Sequence, residues 1–354
     1  MSMQYTTFGR RTGVRVSQLA LGTGNFGTGW GYGSEREEAK SVFDGYVTAG
    51  GNFIDTADTY QVGQSEQLVG DFIAADRDHF VLASKYTLGG QPNAGLSRTG
   101  NSRKTMIQSV EASLKRLNTD RIDLYWAHFS DGATPMDEIM RAFDDLVRSG
   151  KILYAGLSNF PAWRVARADM MAELRGWAPL IGVQTEYSLA ERSADRDLLP
   201  MAEALGLGAA LWSPLGGGLL TGKYRDSREG RLTGFGGVLV RTEQGARETA
   251  TVDAVLAIAG EHDVAPVQVA IAWLLAKAGK SSTALVPILG SRTLAQLDAT
   301  LGALALVLTP EQLRRLDTAS AIALGAPLEA IANSAAGISG GQGQLLRAPF
   351  VPVA

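Results

Sequence analysis

No cysteine occurs anywhere in the 354 residues. That absence excludes disulfides, thiol catalysis and cysteine-ligated zinc, and no metal site is expected. A reducing, cytoplasmic setting fits. Apolar runs long enough to span a bilayer are missing, and the opening MSMQYTTFGRR lacks the apolar core of a signal peptide, so no membrane partner is expected. Excess positive charge is missing too. The formal net charge is -3 and the pI about 5.7, which argues against a nucleic-acid surface. Charged residues make up 19% and hydrophobic ones 45%, the balance of a globular chain. This length suits one large α/β domain or two ordinary ones.

What is present is a repeated pattern. Short apolar runs recur along the chain, and nearly every one stops on a polar residue suited to chemistry. Leu19–Gly22 leads into Thr23, and Asn52–Ile54 into Asp55 and then Tyr60. Phe80–Ser84 leads into Lys85, and Ile122–Ala127 into His128. Ile152–Leu157 leads into Ser158 and Asn159, Leu180–Val183 into Gln184, Leu207–Leu211 into Trp212 and Ser213, and Thr283–Leu289 into Gly290, Ser291 and Arg292. Helical patterns lie between the runs. Ser34 and Glu37 have capping-box spacing. Ser102–Leu117, Pro135–Arg148, Pro161–Arg175, Asp195–Leu205 and Leu294–Leu304 carry apolar residues at helical intervals. Near-continuous apolar strands with long crossovers imply a parallel sheet buried on both faces.

Eight such units predict a closed (β/α)₈ TIM barrel, with extra helices after the seventh barrel strand and at the C-terminus and an open doubly wound sheet as the competitor. Parallel strands would gather their C-terminal ends, and so Asp55, Tyr60, Lys85 and His128, on one rim. Residues 4–7 and 13–16 suggest an N-terminal hairpin plugging the barrel bottom. No linker splits the chain, so 1–354 reads as one domain. Three segments stand outside the repeat: a long Gly-rich stretch, Gly216–Glu248; an extra helix, Asp263–Lys277; and an Ala/Gly-rich tail from residue 321 to 354 that either closes a pocket or stays loose.

Gly22-Thr23-Gly24-Asn25-Phe26-Gly27 spells G-x-G-x-x-G after a strand. In a dinucleotide-binding fingerprint the helix starts inside the glycines. Here the first helix signal, Ser34, comes well beyond Gly27, so the segment reads as a βα loop whose glycines let a ligand approach the backbone.

The four rim residues suit one chemistry. A phenol has an ordinary pKa near 10 and donates poorly at neutral pH. A neighbouring cation favours the phenolate, and Lys85 can supply one. A lysine at a buried strand end needs a counter-ion, which Asp55 can provide. His128 could orient a substrate oxygen. Such an array protonates an oxygen while carbon receives hydride. No side chain supplies hydride, so a nicotinamide cofactor is implied.

Residues 52–60 (NFIDTADTY), Gly63–Glu66 with Gly70, Ser84-Lys85, DLYWAH ending at His128, GLSNF at 156–160, QTEY at 184–187 and WSPLGGGLLTGKY at 212–224 occur in this order. In these motifs the chain resembles the aldo-keto reductase superfamily from about Gly9 to Leu316, most of all the branch of bacterial reductases and potassium-channel β subunits. The resemblance implies a (β/α)₈ barrel binding extended NADPH. Tyr60 would be the general acid, Lys85 and Asp55 its tuning pair, and His128 the carbonyl-orienting group. Gly22 and Thr23 would lie beside the cofactor, and Ser158, Asn159 and Gln184 would hold its carboxamide. Trp212 would stack on the nicotinamide. Ser213, Pro214, Leu215, Gly217 and Lys223 would follow the pyrophosphate. Gly290, Ser291, Arg292, Gln296 and Thr300 would surround the adenosine 2′-phosphate. Ala299 and Thr300 depart from the acid–Asn pair the family often carries for adenine.

The substrate would be a small carbonyl compound, in a pocket walled by Phe26, Trp30, Tyr86, Trp126 and Phe129. The competing functions are an NADPH-sensing regulatory subunit with incidental turnover, and a barrel aldolase or isomerase using Lys85 as a Schiff-base amine. The sequence specifies neither the particular carbonyl nor an oligomeric state.

Overall fold

The computed structural model describes residues 3–226, 241–347 and 351. Strands β1 (Tyr5–Thr7) and β2 (Arg15–Ser17) form an antiparallel hairpin. Eight parallel strands follow: β3 (Ala20–Gly22), β4 (Phe53–Asp55), β5 (Val81–Tyr86), β6 (Ile122–Ala127), β7 (Ile152–Ser158), β8 (Leu180–Glu186), β9 (Gly208–Trp212) and β10 (Leu285–Leu289). They pair in chain order, and β10 pairs with β3 to close the barrel. The first helices are α1 (Arg36–Thr48), α2 (Gln64–Ile73), α3 (Arg103–Leu117), α4 (Met136–Arg148), α5 (Ala162–Arg175) and α6 (Leu198–Leu205). After them come α7 (Ala246–His262), α8 (Pro266–Ala278), α9 (Leu294–Leu301), α10 (Pro310–Ala319) and α11 (Leu328–Ile338). The structure is a (β/α)₈ TIM barrel with an N-terminal hairpin. No single helix among the described residues is long and apolar enough to cross a membrane.

Side-chain alternation sorts the strands' residues into two layers. Along β5, Val81 and Ala83 enter the barrel with Phe53, Leu124 and Trp126, while Leu82 and Tyr86 join the layer under the helices. Helix α4 shows why that outer layer holds. Ile139, Met140, Phe143 and Leu146 face inward at helical spacing, and Asp137 and Glu138 occupy the first turn, where the helix dipole favours acids. Each large buried side chain contributes roughly 1.5–3 kcal/mol. Phe8, just after β1, fills the barrel floor, edge-on to Phe53 at 5.4 Å and to Trp126 at 6.3 Å. The strand ends at the opposite rim therefore stand on a packed base.

Several expectations shift. Ser34 does not cap α1. Glu35 occupies that position without a side-chain bond, and the Ser34 hydroxyl donates to the Arg292 carbonyl at 2.6 Å. Helix α7 has no counterpart in the sequence reading, because the long loop expected there ends inside it. Residues 227–240 of that expected loop, and 348–350 and 352–354 of the tail, lie outside the described residues. The described tail contains α11, which buries none of its residues.

Candidate active site

The ends of β4, β5 and β6 bring Asp55, Lys85 and His128 to one rim, and the turn after β4 adds Tyr60. Lys85 is fully buried. Its ammonium has three protons and meets three acceptors: Asp55 Oδ2 at 2.6 Å, the Thr56 carbonyl at 2.8 Å and the Tyr60 hydroxyl at 3.0 Å. The ammonium also lies 4.5 Å from the Tyr60 ring centre. Burial alone would lower the pKa of this lysine, but the Asp55 carboxylate and the Tyr60 hydroxyl outweigh it and hold the pKa above the ordinary value. The amine stays charged. In this contact the Tyr60 oxygen is the acceptor.

Gln184 Nε2 donates to Asp55 Oδ1 at 2.8 Å, so both carboxylate oxygens are engaged. The Ser158 hydroxyl lies 3.5 Å from Gln184 Oε1. Asn159 Nδ2 donates to the His128 carbonyl and to Ser158 Oγ, both at 3.0 Å, and Trp212 Nε1 donates to Asn159 Oδ1 at 3.1 Å. One hydrogen-bonded arc therefore joins β4, β6, β7, β8 and β9.

The His128 ring lies 6.0 Å from the Tyr60 ring, edge to face. Burial foremost, and the Lys85 cation after it, push its pKa well below the ordinary value, so the imidazole is neutral at pH 7. Its Nδ1 has no hydrogen-bond partner among the described residues. Behind the rim, Asp58 is buried and its Oδ1 lacks a partner among the described residues. Burial and the nearby Glu66 carboxylate push the Asp58 carboxyl up to about 8, despite the opposing pull of Arg116.

Two of the five expected pocket aromatics border Tyr60 and His128. Trp30 is 39% exposed and meets the Tyr60 ring edge-on at 5.9 Å; Phe129 is 37% exposed and stacks on His128 at 4.8 Å. The other three are corrected. Tyr86 has the outward parity of β5 and stacks on Tyr125. Phe26 packs edge-on against Phe72 in the outer layer. Trp126 points inward but one level down, onto Phe8, and is fully buried.

Beyond Trp212 a cleft opens, lined by Ser213, Pro214, Leu215, Gly217, Lys223, Gly290, Ser291, Arg292, Gln296 and Thr300. Two hydroxyls expected beside the cofactor donate within the protein. The buried Thr23 hydroxyl donates to the Asp55 carbonyl, and the Thr300 hydroxyl to the Gln296 carbonyl. Gly22 is glycine because a Cβ there would lie 2.6 Å from Ile288. The cleft lining also includes two cations, Lys223 and Arg292, beside main chain at Gly217 with φ of 68°.

Residues that the sequence reading passed over also build the site. Gln61, next to Tyr60, donates through Nε2 to the Gly24 and Tyr32 carbonyls and accepts from the Trp30 amide. Gln64 Oε1 accepts from Thr28 and Gly29. Two glycines of this loop serve that packing: a Cβ on Gly29 would lie 2.4 Å from the Gln61 carbonyl, and one on Gly33 would overlap the Gly27 carbonyl at 1.9 Å. At Gly29 and Gly33 the close approach is of protein to protein. Tyr32 and Asn25 also line the cleft. Their sequence signal was available, since both sit in the glycine loop after β3.

The sequence profile of the Aldo/keto reductase family matches residues 18–321. Norsolorinic acid reductase of Aspergillus flavus is 38% identical over 325 residues, covering 89% of this chain and 81% of that protein. The uncharacterized oxidoreductase YrpG of Bacillus subtilis is 39% identical, covering 89% and 95%. The putative aryl-alcohol dehydrogenase AAD14 of Saccharomyces cerevisiae is 34% identical, covering 92% and 89%.

Proposed function

From its membership of the Aldo/keto reductase family, and the oxidoreductases among its relatives, we propose that this chain reduces an aldehyde or ketone to an alcohol with NADPH, Tyr60 being the general acid. The observation that carries the reading is the saturated ammonium of Lys85, which donates at once to Asp55, Thr56 and Tyr60. A cation against the phenol oxygen stabilises the phenolate left after proton transfer. General acid catalysis of this kind contributes roughly 10²–10⁴-fold. Asp55 keeps the cation from being an uncompensated buried charge. Gln184 fixes Asp55. Neutral His128, beside Tyr60, offers one nitrogen as a donor to the carbonyl oxygen.

The cleft suits a dinucleotide. It presents positive-φ glycine main chain at one end and an arginine whose Nε lacks a partner among the described residues at the other. Ser158, Asn159, Gln184 and Trp212 would hold the nicotinamide end, Ser213–Gly217 and Lys223 the pyrophosphate, and Gly290, Ser291, Arg292 and Gln296 the phosphorylated ribose. When bound, NADPH supplies hydride to the carbonyl carbon. Arg292 favours NADPH over NADH because its fork matches a dianionic phosphate.

The exposed faces of Trp30 and Phe129 favour an aromatic carbonyl. The names of two relatives, norsolorinic acid reductase and aryl-alcohol dehydrogenase, point the same way. The Schiff-base alternative loses ground, because a buried lysine held protonated and triply hydrogen-bonded is a poor nucleophile.

The test is to mix the protein with NADPH and a panel of aromatic and aliphatic aldehydes and follow the absorbance of the reduced nicotinamide. Turnover of aryl aldehydes is expected. Tight NADPH binding without turnover of any carbonyl would refute the enzyme reading and favour a cofactor-sensing subunit.

A further inference from the structure

We propose that Tyr32 is the positioning residue that sets this chain's preference for a 2′-phosphorylated dinucleotide, by bracing Arg292. The proposal rests on the NADPH reading above and adds a residue outside β10 and α9 to it.

The Arg292 guanidinium lies over the Tyr32 ring, 4.9 Å from its centre. Both side chains line the cleft. Among the described residues Arg292 pairs with no carboxylate, and its Nε has no hydrogen-bond partner. The cation is thus held by an aromatic face, which orients a guanidinium without neutralising it. A carboxylate in that place would compete with a phosphate for the same fork.

Everything around the pair is already fixed. The Ser34 hydroxyl donates to the Arg292 carbonyl at 2.6 Å, and the Arg292 amide donates to Gln296 Oε1 at 2.9 Å. Asn25 Nδ2 donates to the Gly290 carbonyl at 2.8 Å. The Tyr32 carbonyl accepts from Gln61 Nε2 at 3.0 Å. The loop after β3 is therefore fastened to the loop after β10 on one side and to the residue beside Tyr60 on the other. Main-chain anchors hold both residues, so what orients the guanidinium itself is the ring. On α9, Ala299 offers no polar group and the Thr300 hydroxyl is spent on Gln296. Helix α9 therefore gives no substitute brace at those two positions.

The test uses binding, not turnover. Wild type, Tyr32→Ala and Tyr32→Phe are titrated calorimetrically with 2′,5′-ADP, 5′-ADP, NADPH and NADH. Wild type should bind 2′,5′-ADP more tightly than 5′-ADP. Tyr32→Ala should weaken 2′,5′-ADP and NADPH by about 3- to 10-fold, the range of a partly desolvated cation–π contact, and move 5′-ADP and NADH less than twofold. Tyr32→Phe, which keeps the ring, should match wild type within twofold. Equal weakening of all four ligands in Tyr32→Ala would mean general loop damage and overturn the specificity role. No change in Tyr32→Ala would overturn the brace. A wild-type chain indifferent to the 2′-phosphate would remove the NADPH reading and this proposal with it.

Discussion

Replacing Lys85 by methionine keeps the methylene stem and deletes the charge. Three acceptors then lose their donor at once: Asp55 Oδ2, the Thr56 carbonyl and the Tyr60 oxygen. Asp55 is buried, with side-chain exposure of 3%, and keeps only the Gln184 amide as a side-chain donor. Removing one member of a buried ion pair costs about 3–5 kcal/mol, mostly because the other charge is stranded. Spread over an unfolding entropy of roughly 2.1 cal/mol/K per residue, that lowers Tm by about 4–7 °C in a chain of 354 residues. The double variant Lys85→Met/Asp55→Asn strands no charge and should regain more than half of the lost stability. It should regain no carbonyl reduction, because the cation beside the phenol is still missing. Urea unfolding and thermal melts of the two variants, with turnover of an aryl aldehyde by each, separate these effects. A Lys85→Met protein as stable as wild type would refute the desolvated pair. A double variant with restored turnover would refute the tuning role.

Tyr60→Phe should lose about 10²–10⁴-fold in turnover and keep NADPH affinity within a few-fold; unchanged turnover would remove the phenol from the mechanism. Arg292→Ala should weaken NADPH by about 10- to 100-fold, the worth of charged hydrogen bonds, and NADH little; equal losses in titrations of both would refute the phosphate role. His128 is held neutral when folded, with its pKa well below the unfolded value near 6.5. Its contribution to stability is full above that value and is lost as pH falls through it, so wild type should lose more stability than His128→Gln between pH 7.5 and about 5. Asp58 runs the other way: its folded carboxyl stands at about 8, against an unfolded value near 3.9. Its stability term is present below the unfolded value and lost as pH rises toward 8, so the Tm advantage of Asp58→Asn over wild type should grow from pH 5 to pH 8, and a constant difference in melts would refute the buried acid.

The barrel was legible because its physics is local and periodic. A strand buried on both faces must be apolar throughout, and a parallel neighbour requires a helical crossover, so eight runs and their helices could be counted directly. The rim residues were legible for the same reason: a charged group ending an apolar run sits at a strand's C-terminus. What was misread was parity, and what could not be read was depth. Tyr86 and Lys85 are adjacent, yet one faces the helices and the other Asp55 and Tyr60. Trp126 shares the inward parity of His128 but lies a level deeper. The first outcome follows from strand alternation once Lys85 faces the site, whereas depth depends on registers such as Lys85 opposite Trp126, which only assembly fixes. Ser34 misled because α1 starts one residue later than the signal implies, with Glu35 at its N-cap, and the Ser34 hydroxyl donates instead to the distant Arg292 carbonyl.

The site keeps its backbone strain at residues that are not glycine. Gln61 and Val62 follow Tyr60, Asn159 follows Ser158, and Ser213 follows Trp212; all four have positive φ, between 49° and 58°. Such a conformation is ordinary for glycine and unfavourable for other residues, most of all for a β-branched one such as Val62. Each costs roughly 1–3 kcal/mol unless its surroundings hold it. The surroundings here do hold three of them. Gln61 makes three hydrogen bonds to the loop after β3, Asn159 makes three to β6, β7 and β9, and the Ser213 carbonyl accepts from Gly216. Strain placed beside Tyr60, Ser158 and Trp212 fixes the direction in which each leaves its strand or turn. Position along a strand thus assigns the chemistry, and the unfavourable backbone just past it aims the side chain.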